Sequence, residues 1–125
     1  MDRLVPSLPT SDVERIRHYY TSELGFELVG EGLPDFACVR RGLVFIEFYL
    51  EPERALCGKS VSFIESESVA ELFAEFSDRM VEVDILSSVG GVGGCVACFS
   101  VSDLEGNVII VGERSRETVS EEKGE

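Results

Sequence analysis

Residues 35–53 read DFACVRRGLVFIEFYLEPE. Two apolar runs, FACVRR and LVFIEFYL, flank Arg41-Gly42, the composition of two strands joined by a tight turn. Successive side chains of a strand alternate between its faces. The second run therefore sets Ile46, Phe48 and Leu50 on one side and Phe45, Glu47 and Tyr49 on the other. The first set is ordinary core. The second is aromatic, acidic, aromatic: a poor core face, because an unpaired buried charge is costly, and a suitable pocket lining.

Working outward, the segment SDVERIRHYYTSELG places Val13, Ile16, Tyr20 and Leu24 on one helical face, with Ser11 and Glu14 as a capping box and Gly25 as the stop. It follows a short strand, LVPSLPT, and leads into a second, FELVG, which EGLP separates from residue 35. Further on, SVAELFAEFSDRM repeats the stripe with Val69, Leu72, Phe73, Phe76 and Met80, and Ser68 and Glu71 form its capping box. The strand KSVSFIE precedes this helix; VEVDIL, CVACFSVS and NVIIVG follow, the last two joined by the hairpin signal DLEGN. At one constant offset Val13 matches Val69, Ile16 matches Leu72, Tyr20 matches Phe76 and Leu24 matches Met80. The chain thus reads as two copies of a βαβββ module, an α+β fold. The expected division is one domain over residues 1–113, with modules at about 1–52 and 58–113, and a charged, disordered tail at 114–125.

At 125 residues and 44% hydrophobic content the chain suits one globular domain with its own core. No run has the length of a membrane span and MDRLVPSLPT has no apolar signal core, so a cytoplasmic location is expected. The formal charge of −13 repels nucleic acid and anionic membranes and draws in cations. Cys38 and Cys57 stand alone, and Cys95 and Cys98, three residues apart on a strand, point to opposite faces and cannot share a metal. The single histidine, His18, lies on the first helix beside Tyr19 and Tyr20 with no partner that would make it a base. Reduced thiols and no metal are expected. The loop GGVGG, residues 90–94, is expected to be mobile and is no phosphate loop, because no Lys-Ser or Lys-Thr follows.

The segments VPSLPTSDVERIRHYYTSELGFE, DFACVRRGLVFIEFYLEPE and FSVSDLEGNVIIVGE resemble the vicinal oxygen chelate superfamily, and within it the bleomycin resistance proteins. The resemblance implies paired βαβββ modules curled into a cup that holds the ligand, and a strand-exchanged homodimer with Pro6 directing the exchanged strand. Enzymes of the superfamily carry four metal ligands inside the cup, and the matching positions here are Val5, Glu47, Val61 and Ile110. Three of these have no donor atom, so no metal, no cofactor and no catalysis are expected.

Glu47 at a ligand position fixes which strand faces line the cup. Phe36, Cys38, Arg40, Phe45, Tyr49, Phe63, Glu65, Cys98 and Ser100 should line it, while Ala37, Val39, Ile46, Phe48, Ile64, Phe99, Val101, Ile109 and Val111 pack on the helices. The expected ligand-binding residues are Asp35, Phe36, Cys38, Phe45, Glu47, Tyr49, Phe63 and Cys98. Aromatic faces beside a carboxylate suit a flat, cationic organic molecule. Such proteins sequester an antibiotic without transforming it. The family's tryptophans are missing, since the chain has none, which makes bleomycin only one candidate ligand. Three alternatives stand beside this reading: an internal Glu47–Arg40 pair with no ligand, a divergent metalloenzyme using Cys98, Glu65 or Glu47, and an accessory dimer with a vestigial cup.

Overall fold

Chain order is βαβββ, twice over. In the computed structural model, which describes residues 2–86 and 95–114 (backbone only at 95–97 and 114), the first module comprises β1 (Ser7–Thr10), α1 (Val13–Ser22), β2 (Glu27–Leu33), β3 (Phe36–Arg41) and β4 (Val44–Leu50). A short 3₁₀ turn, Arg54–Leu56, leads to the second: β5 (Val61–Glu65), α2 (Val69–Asp78), β6 (Val83–Leu86), β7 (Cys95–Ser102) and β8 (Val108–Arg114). The sheets run β1-β4-β3-β2 and β5-β8-β7-β6, so each module pairs its first strand with its fourth and its fourth with its third. The same permutation on both sides is the structural form of the sequence repeat. The glycine-rich loop at 90–94, the Cys95 side chain and the tail beyond Arg114 lie outside the described residues.

Among the described residues two compact units emerge: 2–60 with 102–108, and 61–86 and 95–101 with 109–114. In the first, β1 runs parallel to β4, while β2, β3 and β4 form an antiparallel meander. Val13, Ile16, Tyr20 and Leu24 are buried, as the helical stripe predicts, against Ala37, Val39, Ile46 and Phe48 from the sheet. The Tyr20 ring meets Phe48 at 4.9 Å and Phe26 at 5.5 Å between centroids. In the second unit Phe73 and Phe76 pack edge-on against Phe99, at 5.6 and 6.0 Å.

The turn at 103–107 belongs to the first unit and is tied in by polar bonds. One Asp103 oxygen accepts the backbone N–H groups of Glu105, Gly106 and Asn107 at 2.9–3.0 Å. Its other oxygen accepts the Tyr20 hydroxyl at 2.7 Å and the Asn107 side-chain amide at 3.0 Å. Asn107 in turn accepts from the Ser60 hydroxyl at 2.8 Å. One Glu105 oxygen accepts the Thr10 hydroxyl and the Ser11 N–H, both at 2.6 Å, and the Ser11 hydroxyl at 2.8 Å. The backbone here approaches so closely that a Cβ at Gly58, whose φ is +72°, would run into the Glu105 carbonyl oxygen.

Several local expectations need correction. Asp12, not Ser11, caps α1, its carboxylate accepting the Arg15 N–H at 3.0 Å, because the Ser11 hydroxyl is spent on Glu105. Ser68 stands at the N-cap of α2 but its side chain makes no cap bond. Met80 is not part of the buried stripe: α2 ends at Asp78, and Met80 takes φ +64° and is 90% exposed. Ile64, expected in the core, is only half-buried. Leu4 and Val5 precede β1 instead of extending it, and β2 runs on to Leu33 through a slip in pairing, where EGLP suggested a loop.

Candidate functional site

The side of the first sheet turned away from α1 gathers five of the eight expected ligand residues. Register places Phe36 directly opposite Tyr49, Cys38 opposite Glu47 and Arg40 opposite Phe45. On the other flank of β4, the parallel partner β1 sets Ser7 beside Glu47 and Pro9 beside Tyr49. The face therefore has a carboxylate at its centre, a thiol and a serine on either side, and aromatic rings above and below. Phe36, Cys38, Phe45 and Glu47 are half-buried, and Tyr49 is 41% exposed. The alternate residues Ala37, Val39, Ile46 and Phe48 are fully buried behind them, which locks the strands and hence the spacing of the face.

Glu47 is held by its backbone, whose N–H donates to the Pro6 carbonyl at 2.9 Å. Its carboxylate accepts no hydrogen bond and joins no ion pair among the described residues. The anticipated Glu47–Arg40 pair does not form. Arg40 turns instead to Glu27, at 3.5 Å on the exposed neighbouring strand, where the salt bridge keeps both side chains hydrated. Burial pushes the Cys38 thiol up, the Glu47 charge pushes it further, and Arg3 pulls the other way. A thiol so placed stays protonated and is a neutral neighbour, not a nucleophile.

Asp35 sits at the exposed turn before β3, and its carbonyl accepts the Leu50 N–H at 2.9 Å. Phe63, half-buried on β5, and Cys98, buried on β7, belong to the second sheet, where β8 lies between their strands. The residues that sequence reasoning missed are Ser7, Pro9 and Arg3. The guanidinium carbon of Arg3 stands 3.8 Å from the centroid of the Phe45 ring. Parallel pairing of β1 to β4, once assumed, would have delivered Ser7 and Pro9; no periodicity marks Arg3.

The four positions that the sequence resemblance matches to metal ligands are short of donor atoms. Val5, Val61 and Ile110 offer hydrocarbon, leaving Glu47 as the single donor. Among the described residues no three His, Cys, Asp or Glu side chains converge. No helix among them is long and apolar enough to cross a membrane.

No protein-family model matches the chain, and no curated protein matches it. Solved structures do. A bleomycin-binding protein from bleomycin-producing Streptomyces verticillus, crystallised with copper(II)-bleomycin, superposes with a TM-score of 0.76 at 23% identity, covering 92% of this chain and 98% of that one. A bleomycin resistance determinant encoded on the transposon Tn5 gives 0.76 at 17% identity, covering 92% and 99%. A glyoxalase family protein from Bacillus anthracis gives 0.73 at 16%, covering 92% and 96%. The chain has the fold these proteins share.

Proposed function

We propose that this protein binds and sequesters a small, flat, cationic organic molecule of the bleomycin type and does not transform it. The observation that carries this reading is Glu47: a half-buried carboxylate with no hydrogen-bond or ion-pair partner among the described residues, set between Phe45 and Tyr49 along β4 and opposite Cys38, with Phe36 opposite Tyr49. A charge left unpaired in such surroundings is stabilised by an incoming cation, and the rings supply stacking for a planar body. The net charge of −13 would speed the approach of such a ligand, with an effect that salt screens. The fold shared with proteins that bind bleomycin supports the same ligand class. Asp35, at the turn before β3, completes the proposed site, and a homodimer is part of the same reading.

Calorimetric titration with metal-free bleomycin at low and moderate salt tests it. Saturable binding near one ligand per chain, weaker at the higher salt, is the expected result. Glu47→Gln should cost about 1–3 kcal/mol of affinity, the scale of a lost charged hydrogen bond. Heat absent at both salts would reject bleomycin as a ligand, and an unchanged affinity in Glu47→Gln would remove the carboxylate from the site.

A further inference from the structure

Residues 2–6 precede β1 and join no helix or strand. Asp2 and Arg3 are exposed and Leu4 is 93% exposed, so residues 2–4 are not held by burial, while Val5 and Pro6 are half-buried. Two contacts position it: the Glu47 N–H on the Pro6 carbonyl, and the Arg3 guanidinium on the face of Phe45 at 3.8 Å. The second lies well inside the range in which a cation is attracted by the ring quadrupole. Arg3 forms no ion pair among the described residues, and its guanidinium rests on the Phe45 ring. A guanidinium is planar, delocalised and cationic. The chain therefore already presents, at one end of the candidate site, the chemistry that the site is proposed to capture.

We propose that Arg3 is a built-in competitor: residues 2–6 form a strap whose guanidinium occupies the Phe45 face, and a ligand that stacks there must first displace it. The proposal rests on the function proposed above and adds a filter to it. A cation that merely replaces Arg3 on Phe45 exchanges one stacking contact for another and gains little. A ligand that also reaches Glu47 and the Phe36–Tyr49 pair gains contacts the strap does not make. Selectivity for larger, multiply anchored cations follows from the exchange.

The test compares wild type, Arg3→Ala and Arg3→Lys in titrations with metal-free bleomycin and with ethidium as a plain flat cation. An exposed stack of this kind should suppress affinity about two- to fivefold, so Arg3→Ala should tighten both probes by that factor. Arg3→Lys, which keeps the charge without the planar stack, should fall between. Equal affinities in wild type and Arg3→Ala would overturn the strap and leave the binding function standing. Weaker binding in Arg3→Ala would also overturn it, making Arg3 a ligand contact. Failure of every variant to bind either probe would overturn the function and the strap with it.

Discussion

Tyr20 and Phe76 occupy matching places in the two helices, and their surroundings differ in kind. Tyr20 packs its ring on Phe26 and Phe48 while its hydroxyl donates to the buried carboxylate of Asp103. Phe76 has no hydroxyl and meets Phe99 edge-on, with Phe73 close by. One module is ordered around a directional polar knot at residues 103–107, the other around hydrocarbon. Aromatic packing tolerates small changes of shape, whereas a carboxylate that accepts five hydrogen bonds admits one arrangement of its donors. The unit that holds these directional bonds is the one whose sheet carries the candidate ligand face.

The sharpest way to break this comparison is Asp103→Ala. It strands three buried donors, the Tyr20 hydroxyl, the Asn107 side-chain amide and the Asn107 N–H, and should cost about 4 kcal/mol, since each buried donor left unpaired costs roughly 1–3. Phe99→Leu, the matching insult to the second unit, should cost about 1.5 kcal/mol because most of the apolar volume remains. Chemical denaturation of the two variants checks the ratio. Equal costs would mean that the knot is no more specifying than the aromatic cluster. Burial, then the Asp103 charge and its hydrogen bond, also push the Tyr20 phenol far up, so it stays a donor at any physiological pH.

Glu105 sharpens the comparison through pH. Burial pushes its carboxyl up, but the Thr10 and Ser11 hydrogen bonds and the nearby Arg54 outweigh that and hold it below the usual carboxylate range. A carboxyl whose folded value is lowered binds its proton more readily in the unfolded chain. Its stabilisation is therefore complete above the unfolded value, roughly 4, and is lost as pH falls through the folded one. Glu105→Gln should destabilise by about 1–2 kcal/mol at neutral pH, the scale of charge-assisted bonds weakened to neutral ones. The difference from wild type should shrink as unfolding is followed downward from pH 5. A constant difference across that range would mean that the ionised state of Glu105 is not what the knot uses.

Much of this was legible from one strand. Alternation along residues 45–50 assigned Ile46, Phe48 and Leu50 to the core and Glu47 to the opposite face; Ile46 and Phe48 are buried, because a half-buried sheet enforces period two, whereas Leu50 at the strand end is 42% exposed. The helix stripe from Val13 to Leu24 read correctly for the same reason, since burial of one face imposes its period. What sequence could not deliver were the side-chain bonds between distant segments. Ser11 looked like a cap because the local pattern fits one, yet a carboxylate 94 positions away takes its hydroxyl. A Glu47–Arg40 pair was one alternative that alternation left open, but Arg40 pairs with Glu27 at a hydrated position. The DLEGN signal announced a turn and was silent on which helix it would bind. Arg3 carried no periodic signal at all.

The helix ends give the smallest and cleanest test. Both helices close with a residue at positive φ, Gly25 at +74° and Met80 at +64°. After α2 the Met80 N–H donates to the Ser77 carbonyl at 3.1 Å and the Val81 N–H to the Phe76 carbonyl at 2.9 Å, the paired bonds of a Schellman cap. That cap suits glycine, whose missing Cβ avoids a clash of about 1–2 kcal/mol that a side chain suffers in the left-handed region. Leu24, which the repeat matched to Met80, is 1% exposed, whereas Met80 is 90% exposed and contributes almost no packing in return. Met80→Gly should therefore stabilise the protein by about 0.5–1 kcal/mol after the added freedom of the unfolded glycine is subtracted, and raise the thermal midpoint by a few degrees. Affinity for any ligand of the first sheet should not change, because Met80 lies in the second unit. A midpoint that falls would show that the methionine side chain is held in the folded protein, and the contrast between the two helix ends would then lie in packing instead of backbone strain.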